Sequence, residues 1–322
     1  MTHSSTTPRL PRATLIPLDD TIGALVIGAI LSSSLFGVSC LQVYLYFTRY
    51  CSRDSLLLKS FVATLLSLDA LHGALVAHAL YVTVVNNFGD YANLTKLPWS
   101  GVIETIIGAL VAGMVQFFYA WRIYVLSEKS FILPVIIAIC AVLGFVFGTL
   151  YAQKGLSVPY VKVEGLLLVY SSTALAFSIT SDIIITVAML YYLSRSKTGM
   201  KATNRAINTL VAYAISSGLV TTMFAIADLV ATWTAPSPPT LIEAPFLFIL
   251  VRLHCLSFMT ILNSRDIVRS QLNVSSNIDS HALVHISRSV VPDSDMERSK
   301  SNSKSDTKNV VLSEPRVGID EA

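Results

Sequence analysis

Seven apolar runs separated by short polar breaks constrain this chain more than any other feature. They cover roughly residues 20–47, 56–85, 98–126, 131–152, 165–193, 206–233 and 241–262. A helix needs about 20 residues to cross the hydrocarbon of a bilayer, and each run reaches that length. Inside hydrocarbon every backbone N–H and C=O must be satisfied within the protein, so a spanning segment is a helix or part of a closed barrel. Barrel strands are segments of about 10 residues with alternating polarity. The runs here are longer and do not alternate, and Ile132 to Leu150 carries no charge. A soluble bundle would give each helix a polar face. With 53% hydrophobic and 13% charged residues and a mean hydropathy of +0.63, the chain lacks the polar groups to build those faces. The fold expected is all-α, an integral membrane bundle of seven transmembrane helices.

Loop charges give the threading a direction, because short cytosolic loops collect Lys and Arg. One side carries eleven: Arg49, Arg53, Lys59, Arg122, Lys129, Arg195, Lys197, Lys201, Arg205, Arg265 and Arg269. The other carries five: Arg9, Arg12, Lys96, Lys154 and Lys162. The excess predicts an N-terminus outside and a C-terminus in the cytosol. Asn93-Leu94-Thr95 is a glycosylation sequon in a predicted outer loop, which agrees with that direction. Asn273-Val274-Ser275 falls on the cytosolic side, where it goes unused. No signal peptide is visible, and the first run is expected to act as its own insertion signal. The plasma membrane is the expected location rather than an internal membrane.

The domain organisation is then an exterior tail at 1–19, the seven-helix domain at 20–265 and a Ser-rich cytosolic tail at 266–322. Both tails are expected to be disordered, since neither has the apolar content to bury a core. Phosphorylation of the Ser-rich tail and a passive solvated role are both open. Cys40, Cys140 and Cys255 lie within apolar runs and Cys51 at the cytosolic end of the first, so no extracellular disulfide is expected. Cys51 is a palmitoylation candidate, with an unmodified thiol as the alternative.

The most telling residues are the ionisable ones inside the runs. Each costs about 2.5–3.5 kcal/mol at the bilayer centre on insertion scales, and so requires a partner or a wet cavity. The second run holds Asp69, His72 and His78; the third Glu104; the fifth Asp182; the sixth Asp228; the seventh Glu243, Arg252 and His254. At 1.5 Å per helical residue, Asp69 and Arg252 both fall near mid-membrane. Glu104, Asp228, Glu243 and His78 fall in the outer half, and Asp182 on the cytosolic side of centre. Asp69 and His72 share a helix face, whereas His78 lies about 180° away from Asp69 around the helix. Arg252 is expected to pair with Asp69, with Asp182 as the alternative. The candidate site is therefore Asp69, His72, Arg252, His254 and Asp182. A buried cluster that only fixes helix packing is the competing reading. The outer set of His78, Glu104, Asp228 and Glu243 includes Glu104 and Glu243, expected to sit at the interface.

Three stretches, Leu68-Asp69-Ala70-Leu71-His72 running on to His78-Ala79-Leu80-Tyr81, Ser194-Arg195-Ser196-Lys197-Thr198-Gly199 with Thr203 and Asn208-Thr209-Leu210, and Leu262-Asn263-Ser264-Arg265, carry a family likeness. With Trp99-Ser100 and Phe117-Phe118-Tyr119-Ala120-Trp121-Arg122-Ile123-Tyr124, the chain resembles a fungal seven-helix membrane family, domain of unknown function 6534, over about 20–268. The last helix of that family often carries a Lys followed by Leu-Tyr. Here Arg252-Leu253-His254 takes that place, and Leu256 stands where an Asn is frequent. The resemblance implies a retained positive charge in the last helix and a fold, but no chemistry, because the family has no assigned activity.

Several functions are excluded by residues. A retinal pigment needs a Lys within a span for its Schiff base, and every Lys here lies in a loop, at a helix end or in the tail. A rhodopsin-type receptor would show Asp/Glu-Arg-Tyr, Asn-Pro-x-x-Tyr and an outer disulfide, where this chain has Trp121-Arg122-Ile123-Tyr124 and Leu262-Asn263-Ser264-Arg265. A membrane metal hydrolase needs about three converging ligands, and His72 and His78 are on opposing faces; no metal, no other cofactor and no enzyme activity are expected. The basic loop from Arg195 to Arg205 is explained by topology and anionic lipid rather than nucleic acid. What remains is a receptor-like or sensor protein with an outward-facing polar pocket. The alternative is a small-solute or proton-coupled transporter, and a structural membrane protein is the minor third reading. The expected partners are the lipid bilayer, an unknown small ligand or solute, and a cytosolic partner met through the basic loops and tail.

Overall fold

A computed structural model describes residues 19–49, 54–88, 98–157, 165–197, 201–234 and 241–265. The tail segments 1–18 and 266–322, Cys51, Asn93 and Asn273 lie outside the described residues. The described residues form seven helices long and apolar enough to cross a membrane: α1 (Ala24–Arg49), α2 (Leu56–Tyr81), α3 (Trp99–Leu126), α4 (Ile132–Ser157), α5 (Gly165–Arg195), α6 (Lys201–Thr234) and α7 (Ala244–Asn263). Single π-helical turns precede α1 at Asp19–Gly23 and extend α2 at Val82–Asn86. The protein is thus a multi-pass membrane protein. Helix α4 outlasts its apolar run by five residues, to Ser157, and α6 starts at Lys201, ahead of its own run. Hydropathy marks only the hydrocarbon, whereas a hydrogen-bonded helix continues into the headgroup layer.

Local chemistry accounts for the helix ends. The Ser55 side chain accepts from the Leu58 N–H and caps α2. Pro98 sits extended just before α3, and Pro245 occupies the first turn of α7, where no N–H is required of it. The turn from α3 to α4 passes through left-handed Glu128 (φ 57°) and Lys129 (φ 74°), a conformation that stops α3. Many Ser and Thr hydroxyls of the spans return to the helix itself. Ser34 donates to the Ile30 carbonyl at 3.0 Å and Thr180 to the Ala176 carbonyl at 2.7 Å, although both side chains are exposed. A hydroxyl bonded in this way can face lipid without an unmet donor.

Each helix packs on the next in sequence, and α7 returns against α1 to close the ring. Neighbours in the chain run antiparallel: His72 lies on Glu104 and Phe61 on Phe118 between α2 and α3. Helices α1 and α7 run parallel, with Ser32 near Phe248 and Gln42 near Thr260. We call the side where α1 begins the near face and the opposite side the far face. Helix α7 is the innermost, with 61% of its membrane window buried against at most 39% for any other span. A large apolar core fills the far half, where Phe258 meets the Phe118 ring at 4.8 Å and the Phe61 ring at 5.3 Å. A smaller one, Ala29, Val76, Ala244 and Phe248, lies toward the near face. The outward surfaces carry Ile27, Ile30, Leu41, Ile139, Val187 and Met223, the side chains a lipid solvent accepts. Buried polar side chains occupy the layer between the two cores.

Candidate functional site

Three helix-to-helix pairs make up that layer. The deepest joins α7, α2 and α1. Arg252 and Asp69 are both 1% exposed and form an ion pair. Arg252 Nη1 also donates to the Asp69 carbonyl at 2.6 Å, and Nε donates to Ser32 Oγ at 3.0 Å. The guanidinium carbon lies 5.1 Å from the Phe36 ring centre, within cation–π range. The pairing expected from depth is present. The fit depends on Gly73, one helical turn from Asp69, because a Cβ there would lie 2.7 Å from Arg252 Nη2.

The second pair joins α2 to α3. His72 Nε2 and Glu104 Oε1 are 2.9 Å apart, with side chains 0% and 5% exposed, in contact but not aligned as a hydrogen bond. This corrects the expectation that Glu104 is interfacial. Although it lies within two turns of the start of α3, α2 covers it and brings His72 to it. Sequence position gives depth but not the rotation of one helix against another.

The third pair joins α7, α5 and α3. His254 Nδ1 donates to the Leu250 carbonyl at 2.9 Å, since a carbonyl can only accept. Its other nitrogen, Nε2, faces Asp182 Oδ2 at 3.5 Å. Gln116 Nε2 donates to Asp182 Oδ1 at 3.4 Å. Asp182 is thereby tied to His254 rather than to Arg252, its alternative partner in the sequence reading.

These side chains do not converge on one site. Arg252, Asp69 and His72 are buried between helices, whereas His254 lines a cavity of about 130 Å³ among α3, α4, α5, α6 and α7. Gln116 and Ser178 line it at the depth of His254, and Asp228, Glu243, Tyr151 and Thr232 toward the near face. Tyr151 donates to Glu243 Oε1 at 3.4 Å. Asp228 is 3% exposed. The remaining wall is mostly apolar, and its α3 and α4 sides are small: α3 presents Gly108, Ala109 and Ala112 and α4 presents Ala141, Gly144 and Gly148. His78 is exposed and lies 5.0 Å from the Trp99 ring, away from the cavity. Sequence reasoning missed Gln116, Tyr151, Ser178 and Thr232. The spacing of small residues on α4, at 141, 144 and 148, was the available signal, since small side chains mark where helices approach closely or leave room. Among the described residues, no three of His, Cys, Asp and Glu gather to hold a metal.

A smaller space of about 30 Å³ lies beyond His254 and Asp182 toward the far face, lined by Tyr119, Thr186, Ser217, Thr221 and Ser257. At the far face itself, Arg265 Nη2 donates to Asp54 Oδ2 at 2.7 Å and Nη1 to Asp54 Oδ1 at 3.2 Å, while the Tyr46 hydroxyl donates to Asp54 Oδ2 at 3.0 Å. Burial raises the Asp54 carboxyl, but the hydrogen bonds from Arg265 and Tyr46 and the charges of Arg265 and Lys59 outweigh it and hold it below its ordinary value.

Residues 178–267, from within α5 to just past α7, match the model of a family described as a family of unknown function (DUF6534). The match supports the resemblance read from the sequence and contains two of its three motif stretches, those from Ser194 and from Leu262. No curated protein and no solved structure matches the chain.

Proposed function

We propose that this protein is a receptor-like sensor of the plasma membrane, with the near face outside, whose ligand occupies the cavity among α3 to α7. The observation that carries this reading is the placement of His254. It stands in the cavity wall on α7, the most buried helix, which touches α1, α2, α3 and α6 and ends in the Arg265–Asp54 contact at the far face. A ligand that presses on His254 acts on the helix that holds the ring closed, and a shift of α7 is felt at the far face. The excess of Lys and Arg in the far-face loops supports placing that face in the cytosol. Binding without chemistry is sufficient for this role.

The second reading, a proton-coupled carrier, draws support from the two spaces that flank the His254–Asp182 pair, one toward each face. Reconstitution into liposomes separates the two. A small molecule that stabilises the protein and is not carried across the vesicle supports the sensor. Uptake driven by a pH step and lost in His254→Gln overturns it in favour of the carrier.

A further inference from the structure

We infer that the ligand of the α3–α7 cavity is a small organic amine with an apolar body, its ammonium group held by Asp228. This rests on the reading of the cavity as a binding site and names the class it selects.

Among the described residues, the spans bury four acids, and Asp228 is the one that no basic side chain faces. Asp69 has Arg252, Glu104 has His72, and Asp182 has His254 and Gln116. Asp228 is 3% exposed, lines the cavity and, among the described residues, receives no side-chain hydrogen bond; the other charge acting on it is that of Glu243, of the same sign. Among the described residues, no Lys or Arg lines the cavity. A carboxylate taken out of water without a partner is strongly disfavoured, so a chain that provides counter-groups for three buried acids and omits one leaves a place for a cation from outside. A metal ion does not fit well, because no third metal-ligating side chain joins Asp228 and Glu243 among the described residues. An ammonium needs only one carboxylate and the neighbouring oxygens of Glu243 and Thr232. The rest of the wall, Ala109, Ala112, Phe145, Leu175, Leu247 and Val251, suits an apolar body. An enclosed cavity of about 150 Å³ holds a benzene ring, so one of about 130 Å³ suits an apolar body of about that size, with the ammonium at the Asp228 end.

The test uses the full chain in lipid nanodiscs and three probes of equal skeleton: 2-phenylethylamine, 2-phenylethanol and 3-phenylpropanoate. Calorimetric titration at neutral pH should find the amine bound about ten- to hundredfold more tightly than the alcohol, the range expected of a charge-assisted hydrogen bond. Asp228→Asn should remove that advantage while leaving the alcohol's affinity in place, and Asp228→Glu should retain it. The comparison of probes on the unaltered protein decides the matter even where a variant fails to fold. Equal binding of amine and alcohol, lost in Gly148→Leu, overturns the amine and leaves the binding cavity standing. Preference for the carboxylate does the same. Failure of all three probes to bind overturns both.

Discussion

Gly73→Ala probes the cradle around Arg252 with a single methyl group. A Cβ at residue 73 would lie 2.7 Å from Arg252 Nη2, where ordinary contact begins at 3.4 Å, so the guanidinium must retreat by the difference. It is poorly free to do so: Nε is held by Ser32, Nη1 by the Asp69 carbonyl and carboxylate, and the plane rests near Phe36. Overpacking of this kind costs about 1–3 kcal/mol, and loosening a charged hydrogen bond costs about 1.5–3 kcal/mol. The two overlap, so a total of about 2–3 kcal/mol is expected, roughly 30- to 150-fold in the unfolding equilibrium. The assay is unfolding of the purified chain in mixed detergent micelles, in two backgrounds. In the unaltered protein Gly73→Ala should show the full loss. In Asp69→Asn/Arg252→Gln, where the obstructing group is gone and no charge is stranded, the same change should cost less than about 0.5 kcal/mol, or stabilise slightly because Ala favours a helix over Gly. An equal loss in both backgrounds would refute the argument that Arg252 is the reason residue 73 is a glycine.

Other outcomes follow from the same geometry. Gly28→Ala places a Cβ 2.7 Å from the Pro245 backbone and should part α1 from α7 at a cost of about 2 kcal/mol, whereas Gly37→Ala, with nothing within 4 Å, should be neutral to slightly stabilising; equal melting temperatures for the two would contradict the packing. Glu104→Leu leaves the His72 ring without its polar neighbour and should lower stability by about 1–3 kcal/mol, while Glu104→Gln should cost less, read by thermal unfolding. Asp54, held below its ordinary 3.8, adds stability that is present above that value and is lost as pH falls through its lowered folded value. Because Arg265 is 42% exposed, the gain is under about 1 kcal/mol and weakens with salt. Melting curves of Asp54→Asn and the unaltered protein should therefore converge in acid, and a constant gap from about pH 6 to pH 3 would argue against it.

The bundle was legible in the sequence because the bilayer imposes one requirement on every span, and apolar length reports it directly. The Arg252–Asp69 pair was legible for a related reason: two opposite charges at one depth in hydrocarbon have few other partners. The partners of His72, His254 and Asp182 were not, since they depend on how each helix is rotated about its axis. The cavity was least legible. Its polar members, Gln116, Tyr151, Ser178 and Thr232, come from four helices, and the space exists because Gly144 and Gly148 are small, which becomes visible only when α3 and α5 are set beside α4.

The closure of the ring by α7 has a consequence in time. The Asp69–Arg252 contact spans 183 residues. At about 5–20 residues per second of synthesis, Asp69 reaches the bilayer roughly 10–40 s before Arg252 leaves the ribosome. For that interval the nascent chain carries an acid without its base, and α1 lacks the helix it will lie along. The order of birth is thus the reverse of the order of dependence: the last segment made completes the first ones. A chain that stops before α7 would present Asp69 unpaired, a mark by which an unfinished protein can be told from a finished one.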